Sequence, residues 1–274
     1  MSVVVSAFYK FVDLPKYELL KDELLNKCKN LSLGGTILLA KEGVNGSISG
    51  TREQVDRFYD MIADYSFFKD MQYKENICKT VPFEKMKVRL KKEIVALGRD
   101  GIDMNNRGEY VDPGDWDDFI SKEDVVVIDT RNDYEYDIGT FENSINPETD
   151  NFRDFPVWFE DHEKEFKDKK IAMFCTGGIR CEKSTAYVKA RGFEKVYHLK
   201  GGIIDYFKVS KNKNKKWSGK CFVFDDRCAI DDDMKPSELR CSHCNIELKR
   251  SELELRKNQK KFYCHSCFTK LCCN

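Results

Sequence analysis

The stretch Cys175-Thr176-Gly177-Gly178-Ile179-Arg180, followed by Cys181, holds the residue types and spacing best suited to chemistry. It follows the apolar run Lys170-Ile171-Ala172-Met173-Phe174, of strand length, and residues 184–191 continue at helical spacing. A cysteine between a buried strand and a helix start faces several free backbone N–H groups, and Gly177 and Gly178 let that backbone curl around a bound anion. The partial charge of the helix end and Arg180 both favour thiolate, so the Cys175 pKa is expected below the free-cysteine value of about 8.5. Four residues separate cysteine from arginine, one fewer than in cysteine-based phosphatases. The smaller ring suits a sulfur atom riding on the cysteine better than a phosphoryl group. An inert buried thiol is the default for a lone cysteine, but the glycine pair, the arginine and the strand-to-helix position argue against it.

The second chemical group lies in the tail. Cys241-Ser242-His243-Cys244 and Cys264-His265-Ser266-Cys267 are separated by 19 residues. Paired knuckles at this separation can surround a tetrahedral zinc with Cys241, Cys244, Cys264 and Cys267, and four thiolates leave no open position, so the zinc would be structural. Cys272, Cys273, His243 or His265 could replace a ligand. Half of the twelve cysteines crowd into the last 34 residues, and the N-terminus lacks a signal-peptide pattern, so a metal site in a reducing cytoplasm is expected rather than a disulfide framework.

These groups need elements to position them. A chain of 274 residues, 41% hydrophobic, is long enough for two or three domains, and no apolar run approaches the ~18 residues of a membrane helix. The formal net charge is zero but unevenly spread: +3 over residues 1–100, −9 over 101–204 and +6 over 205–274. An acidic middle between basic ends is compatible with a polyanionic partner gripped by the flanks, although charge runs are usually solvated faces.

Residues 3–11 alternate as a strand, and Leu14-Pro15 opens a helical stretch to about residue 29 with Leu19, Leu20, Leu24 and Leu25 on one face. Residues 35–40 and 46–49 read as strands joined by a turn containing Gly43 and Asn45-Gly46. Thr51-Arg52-Glu53-Gln54 is a capping box opening a helix that buries Val55, Phe58, Tyr59 and Ile62, and residues 88–97 close with a strand. Strand, helix, strand, strand, helix, strand is the order of a ferredoxin-like or acylphosphatase-like α+β sandwich, here residues 1–98. Lys79, Lys85, Lys87, Arg89, Lys91 and Lys92 interleave with apolar residues, giving either a phosphate-binding face or an ordinary charged edge strand.

Residues 99–120 have little periodicity and read as a linker, with a short helix opening at Pro113-Gly114-Asp115-Trp116. The run 125–128 reads as the central strand of a parallel sheet. With 171–174 and 195–199 it alternates with helices, so residues 121–215 form an α/β domain with Cys175 at a strand's carboxyl end, where such sheets bind ligands. Residues 216–274 form a small Cys-rich zinc-type module.

The residues also carry a resemblance. Asp129-x-Arg131, Glu135, Gly139 and Ile145-Asn146-Pro147, with the loop from Cys175 to Arg180, resemble a rhodanese domain. Five motifs in order resemble the bacterial tRNA uridine(34) hydroxylase family. They are Lys41-Glu42-Gly43-Val44-Asn45-Gly46, Arg131-Asn132-x-Tyr134-Glu135-Tyr136, the Cys175 loop through Lys183, Leu199-Lys200-Gly201-Gly202-Ile203, and Gly219-Lys220-x-Phe222-Val223-Phe224-Asp225-Asp226-Arg227. The resemblance implies oxygen-dependent 5-hydroxylation of the wobble uridine of tRNA, with molecular oxygen as co-substrate and Cys175 as a persulfide intermediate. No organic cofactor and no protein partner is identifiable.

On that reading Arg180 is the loop arginine, and Cys181 either resolves a persulfide or is a small packing residue. Asp129 and Arg131 either line the pocket or, the favoured reading, lock the loop by hydrogen bonds. Lys87, Arg89 and Lys91 in the first domain, and Lys249, Arg250 and Lys257 between the knuckles, become candidates for tRNA phosphates. A plain thiosulfate-type sulfurtransferase would need only the middle domain and leaves both flanks unexplained. A noncatalytic tRNA-binding scaffold would not need the cysteine.

Overall fold

The computed structural model describes residues 2–78, 81–83, 85–209, 215–225, 227–248 and 262–272, so Lys249, Arg250 and Lys257 lie outside the described residues. The chain divides into two compact units, Met1–Ala96 and Leu97–Asn274. Among the described residues no helix is long and apolar enough to cross a membrane.

The first unit runs β1 (Val3–Phe11), α1 (Leu20–Asn30), β2 (Gly34–Ala40), β3 (Gly43–Gly50), α2 (Arg52–Ala63), β4 (Tyr73–Cys78) and β5 (Met86–Leu90). Its sheet has the order β4-β1-β3-β2-β5, with β5 parallel to β2 and the other pairs antiparallel. This is the acylphosphatase-like sandwich with one strand added. The strand expected over 88–97 is that addition, and it ends at Leu90. The strand that completes the sandwich is β4, whose Tyr73-Lys74-Glu75-Asn76-Ile77-Cys78 shows no apolar alternation because it is an edge strand; its Ile77 is 67% exposed.

Apolar side chains of both helices and the sheet, among them Phe8, Leu24, Ile37, Val44, Val55 and Phe58, share one core. A 3-10 turn, Tyr17–Leu19, precedes α1, which leaves Leu19 74% exposed instead of on the buried face. The capping box of α2 forms, with Thr51 Oγ1 accepting from the Gln54 N–H and Gln54 Oε1 from the Thr51 N–H.

Only Lys41 and Glu42 link β2 to β3, so Asn45 and Gly46 lie inside a strand and not in the expected turn. Gly43 has φ +137°, and a Cβ there would stand 2.0 Å from the Lys10 carbonyl oxygen. Glu42 Oε1 accepts from the Ile94 N–H at 2.7 Å, and Asn45 Nδ2 donates to the Ile94 carbonyl at 2.9 Å. The motif therefore staples down the chain that leaves β5.

In the second unit, β6 (Glu109–Val111), α3 (Trp116–Ile120), β7 (Val125–Asp129), α4 (Asp133–Tyr136), β8 (Gly139–Phe141), α5 (Phe155–His162), β9 (Lys170–Phe174), α6 (Ile179–Ala190), β10 (Val196–Leu199) and α7 (Gly202–Val209) follow in order. The parallel sheet has the order β6-β10-β9-β7. Two expectations change. The stretch read as a linker supplies β6, an edge strand of this sheet, whose three residues are too few to show periodicity. The run 125–128 is the last regular strand and not the central one; β9 and β10 occupy the middle.

The chain then adds β11 (Trp217–Gly219), antiparallel to β8, and the hairpin β12 (Cys221–Phe222) with β13 (Ala229–Ile230). Trp217, Cys221, Val223 and Ile230 belong to the same core as Trp116, Phe141 and Phe174, so the start of the expected Cys-rich module is built into the second unit.

Replacing Asn45 by Ala removes the donor to the Ile94 carbonyl. It is expected to cost about 1 kcal/mol, read as a lower urea midpoint with an unchanged denaturant slope.

Candidate active site

Cys175 follows β9 directly and is fully buried. Its Sγ accepts from the Gly178 N–H at 3.1 Å. Gly178 reaches that position with φ +97° and caps α6, so the reversal into the helix needs a residue without Cβ. Burial raises the Cys175 pKa. Hydrogen bonds from the Cys181 thiol and from the backbone of Cys181 and Gly178, with the Arg180 charge, outweigh burial and hold it below the ordinary thiol range. Burial and the neighbouring Cys175 push Cys181 the other way, to a neutral S–H. Thr130 Oγ1 donates to the Phe174 carbonyl and lies 3.5 Å from Cys181 Sγ.

Arg180 is paired with a carboxylate of the protein. Its Nη1 donates to Glu135 Oε2 at 2.6 Å and its Nη2 to Glu135 Oε1 at 2.9 Å and Thr176 Oγ1 at 3.3 Å. Glu135 is completely buried and also accepts from the Asn132 N–H and the Thr176 hydroxyl. Burial opposes its ionisation, but Arg180 outweighs burial and holds the carboxyl below its usual range. Arg180 thus acts on Cys175 through its field and through the position of the loop.

Asp129 and Arg131 are both fully buried and bind each other, Nε to Oδ1 at 2.9 Å and Nη2 to Oδ2 at 2.6 Å. Arg131 Nη2 also donates to the Gly139 carbonyl, and Thr140 Oγ1 donates to Asp129 Oδ2. This pair ties the end of β7 to β8 and lines no opening. Of the two glycines in the loop, Gly178 has the strained turn, while a Cβ on Gly177 would meet nothing within 4 Å.

The structure gives roles to residues that the sequence offered only as parts of a motif, Gly202 and Ile203, and to two that it did not single out, Ile204 and Cys221. The N–H groups of Ile203 and Ile204, at the start of α7, donate to the carbonyls of Cys175 and Thr176 at 3.0 and 3.1 Å. Gly202 makes this possible, since a Cβ there would stand 2.4 Å from the Cys175 carbonyl oxygen. Cys221 is a third buried thiol beside Thr176, and burial pushes it up to about 12. Beyond the motif resemblance, Glu135 carried a local signal, as N3 of the Asn132-x-x-Glu135 capping box, and Gly202 the Gly-Gly pair after a strand.

Away from the loop, the sulfurs of Cys241, Cys244, Cys264 and Cys267 lie within 4.8 Å of one another, close enough to hold a metal ion. Among the described residues neither His243 nor His265 joins them. Lys87 and Arg89 project from the exposed side of β5, between buried Met86 and Val88, and Lys91 follows as an exposed residue.

Residues 3–94 match the family model described as "UPF0176 acylphosphatase like domain", and residues 112–208 the "Rhodanese-like domain". Fold and loop therefore define a rhodanese-domain protein with an acylphosphatase-like partner domain. Over 255 residues, 93% of this chain and 90% of the relative, the sequence is 52% identical to the tRNA uridine(34) hydroxylase of Wolbachia pipientis subsp. Culex pipiens (strain wPip). It is 47% identical over 256 residues, 93% of each chain, to the tRNA uridine(34) hydroxylase of Ehrlichia canis (strain Jake). The chain belongs to the tRNA uridine(34) hydroxylase family.

Two outcomes test the site. Glu135→Ala strands a buried guanidinium and is expected to cost about 3 kcal/mol or more in urea unfolding. Alkylation of Cys175 by iodoacetamide, followed by peptide mass spectrometry, should rise with pH at a midpoint below the free-thiol value of about 8.5, because only the thiolate reacts.

Proposed function

We propose that this chain is an oxidoreductase that places a hydroxyl group on C5 of uridine 34, the wobble base of tRNA, with molecular oxygen as co-substrate and Cys175 as the reacting thiol. The observation that carries the reading is identity of 46–52% over 92–93% of the chain with relatives bearing that name. The thiolate-favouring loop supports it.

Cys175, carrying a second sulfur as a persulfide, adds to C6 of the uracil ring. The electrons of the C5–C6 double bond move toward O4, and C5 becomes the enolate-type carbon at which one oxygen atom is inserted. The other oxygen atom leaves as water, taking the two electrons and two protons that a pair of external thiols release as they close a disulfide. Loss of the C5 proton and departure of the sulfur restore the ring. In this scheme the Gly177 and Gly178 backbone shapes the loop, and Cys181 supplies an S–H donor to the Cys175 anion. Arg180 is a positioning residue held by Glu135, while Asp129 and Arg131 hold the strand ends.

Phosphates of tRNA would meet Lys87 and Arg89 on β5 and Lys91 just after it. Lys249, Arg250 and Lys257 join them on charge and sequence position alone. A tRNA substrate implies action in the cytoplasm. The sulfurtransferase alternative accounts for the loop but gives neither flank a task.

The four clustered cysteines fit zinc, since four thiolates make a closed tetrahedral set, and the bound ion would pin the tail. Native mass spectrometry is expected to find one zinc per chain, lost in Cys241→Ser together with protection of the tail from proteolysis. For the activity, nucleoside mass spectrometry of tRNA from cells lacking the protein should show 5-hydroxyuridine restored by the wild type and not by Cys175→Ser. Recovery with Cys175→Ser would remove Cys175 from the reaction.

A further inference from the structure

The turn after β12 holds an aromatic ring in solvent beside the reactive loop. Phe222 and Val223 are buried, but Phe224 is 51% exposed, and its ring centre lies 5.7 Å from the Arg180 guanidinium carbon. An apolar ring of that size normally gains by burial, yet the described residues on either side of it are held by hydrogen bonds. The Val223 N–H donates to the Cys228 carbonyl at 2.9 Å and the Cys228 N–H to the Asp225 carbonyl at 3.0 Å. Arg227 Nε donates to Asp225 Oδ1 at 2.7 Å, and both side chains are largely buried. Behind Phe224, the Phe222 ring stands edge-on at 5.1 Å, and Phe222 in turn meets Tyr134, the neighbour of Glu135, at 5.2 Å. The exposed ring and the Glu135–Arg180 pair therefore share one frame.

The Arg180 guanidinium is held by Glu135 and Thr176, and the exposed Phe224 ring beside it adds a π-face to this side of the loop. A flat ring can stack on such a face whatever hydrogen-bonding groups its edges carry. We propose that Phe224 is the stacking platform for the nucleobase delivered to Cys175, a pyrimidine swung out of the anticodon loop. The inference rests on the function proposed above. A base that leaves its neighbours loses their stacking, and an aromatic side chain against the arginine of the cysteine loop replaces it without reading base edges. Recognition of which pyrimidine is present is then left to other groups.

The test uses the full chain as wild type, Phe224→Ala, Phe224→Leu and Phe224→Trp. Affinity for an anticodon stem-loop RNA with uridine at position 34 is measured by fluorescence anisotropy, and 5-hydroxyuridine is measured in complemented deletion cells. The pH profile of Cys175 alkylation reports whether the loop is intact. Loss of stacking should weaken binding about ten-fold in Phe224→Ala. Phe224→Leu should be similarly weak, Phe224→Trp should bind at least as well as wild type, and the alkylation profile should not move. Wild-type affinity in Phe224→Leu would overturn the proposal, because burial without aromaticity would then suffice. A displaced alkylation profile would also overturn it, making Phe224 a cover for Arg180. If wild type neither binds the RNA nor restores 5-hydroxyuridine, the tRNA reading itself falls. If wild type does both and Phe224→Ala matches it, only the platform fails.

Discussion

Glu135 and Arg180 form the interaction on which the arrangement around Cys175 depends. Removing a carboxylate and a guanidinium from water costs several kcal/mol per ion, and that cost is offset only where geometry and further hydrogen bonds are good. Here the pair is bidentate, and Glu135 has two more donors in the Asn132 N–H and the Thr176 hydroxyl. Leaving either ion unpaired is far worse than forming the pair, so the first turn of α6 has one acceptable position relative to α4. That position sets the loop between β9 and α6 and aims the Gly178 N–H at Cys175 Sγ. Asp129 and Arg131 impose the same discipline where β7 meets β8. Two buried ion pairs, each between residues at strand ends or helix starts, thus fix the loop from below.

Proton bookkeeping around the sulfurs follows from this frame. Thr130 has one hydroxyl hydrogen, and it goes to the Phe174 carbonyl. Toward Cys181 that oxygen can only accept, so the single S–H of Cys181 points either to Thr130 or to Cys175. When Cys175 is ionised, the charged acceptor is the stronger one. Both sulfurs are fully buried and desolvation raises both, but the backbone N–H groups of Gly178 and Cys181 serve Cys175 and so favour charge there. The same spacing with a weaker donor set would leave two neutral thiols.

The sequence made the loop, the α2 cap and the cysteine knuckles legible because each is a local pattern. Cys175 through Arg180 is contiguous, Thr51 and Gln54 are one turn apart, and the four tail cysteines come in two close pairs. The misread elements depend on neighbours distant in sequence. β4 is polar because it is an edge, and Lys74 and Glu75 look like loop residues until β1 pairs with them. β6 is three residues long and is a strand only because β10 lies beside it. Helix α6 shows little amphipathicity because it is enclosed: Arg180 through Val188 are all buried. Its polar side chains have partners from β6 and its approach, Tyr110 donating to Glu182 at 2.7 Å and the Gly108 N–H to Thr185 at 3.0 Å. The stretch read as a linker supplies that polar lid, and periodicity cannot reveal a surface that both neighbours cover.

The tail does not stand apart from the loop. Cys241, Cys264 and Cys267 share an apolar cluster with Phe222, Cys228, Leu239 and Leu248, and Tyr134 and Ile138 pack against it. Tyr134 precedes Glu135, and Ile138 precedes Gly139, whose carbonyl accepts from Arg131. The cysteine cluster therefore supports the outer side of α4, the short helix that carries the counter-ion of the loop arginine. A four-residue helix has too few internal hydrogen bonds to hold its place unaided. Packing from the tail side and the ion pair from the loop side together hold it. The cysteine-rich extension thus has a structural task in the second unit that requires no contact with Cys175.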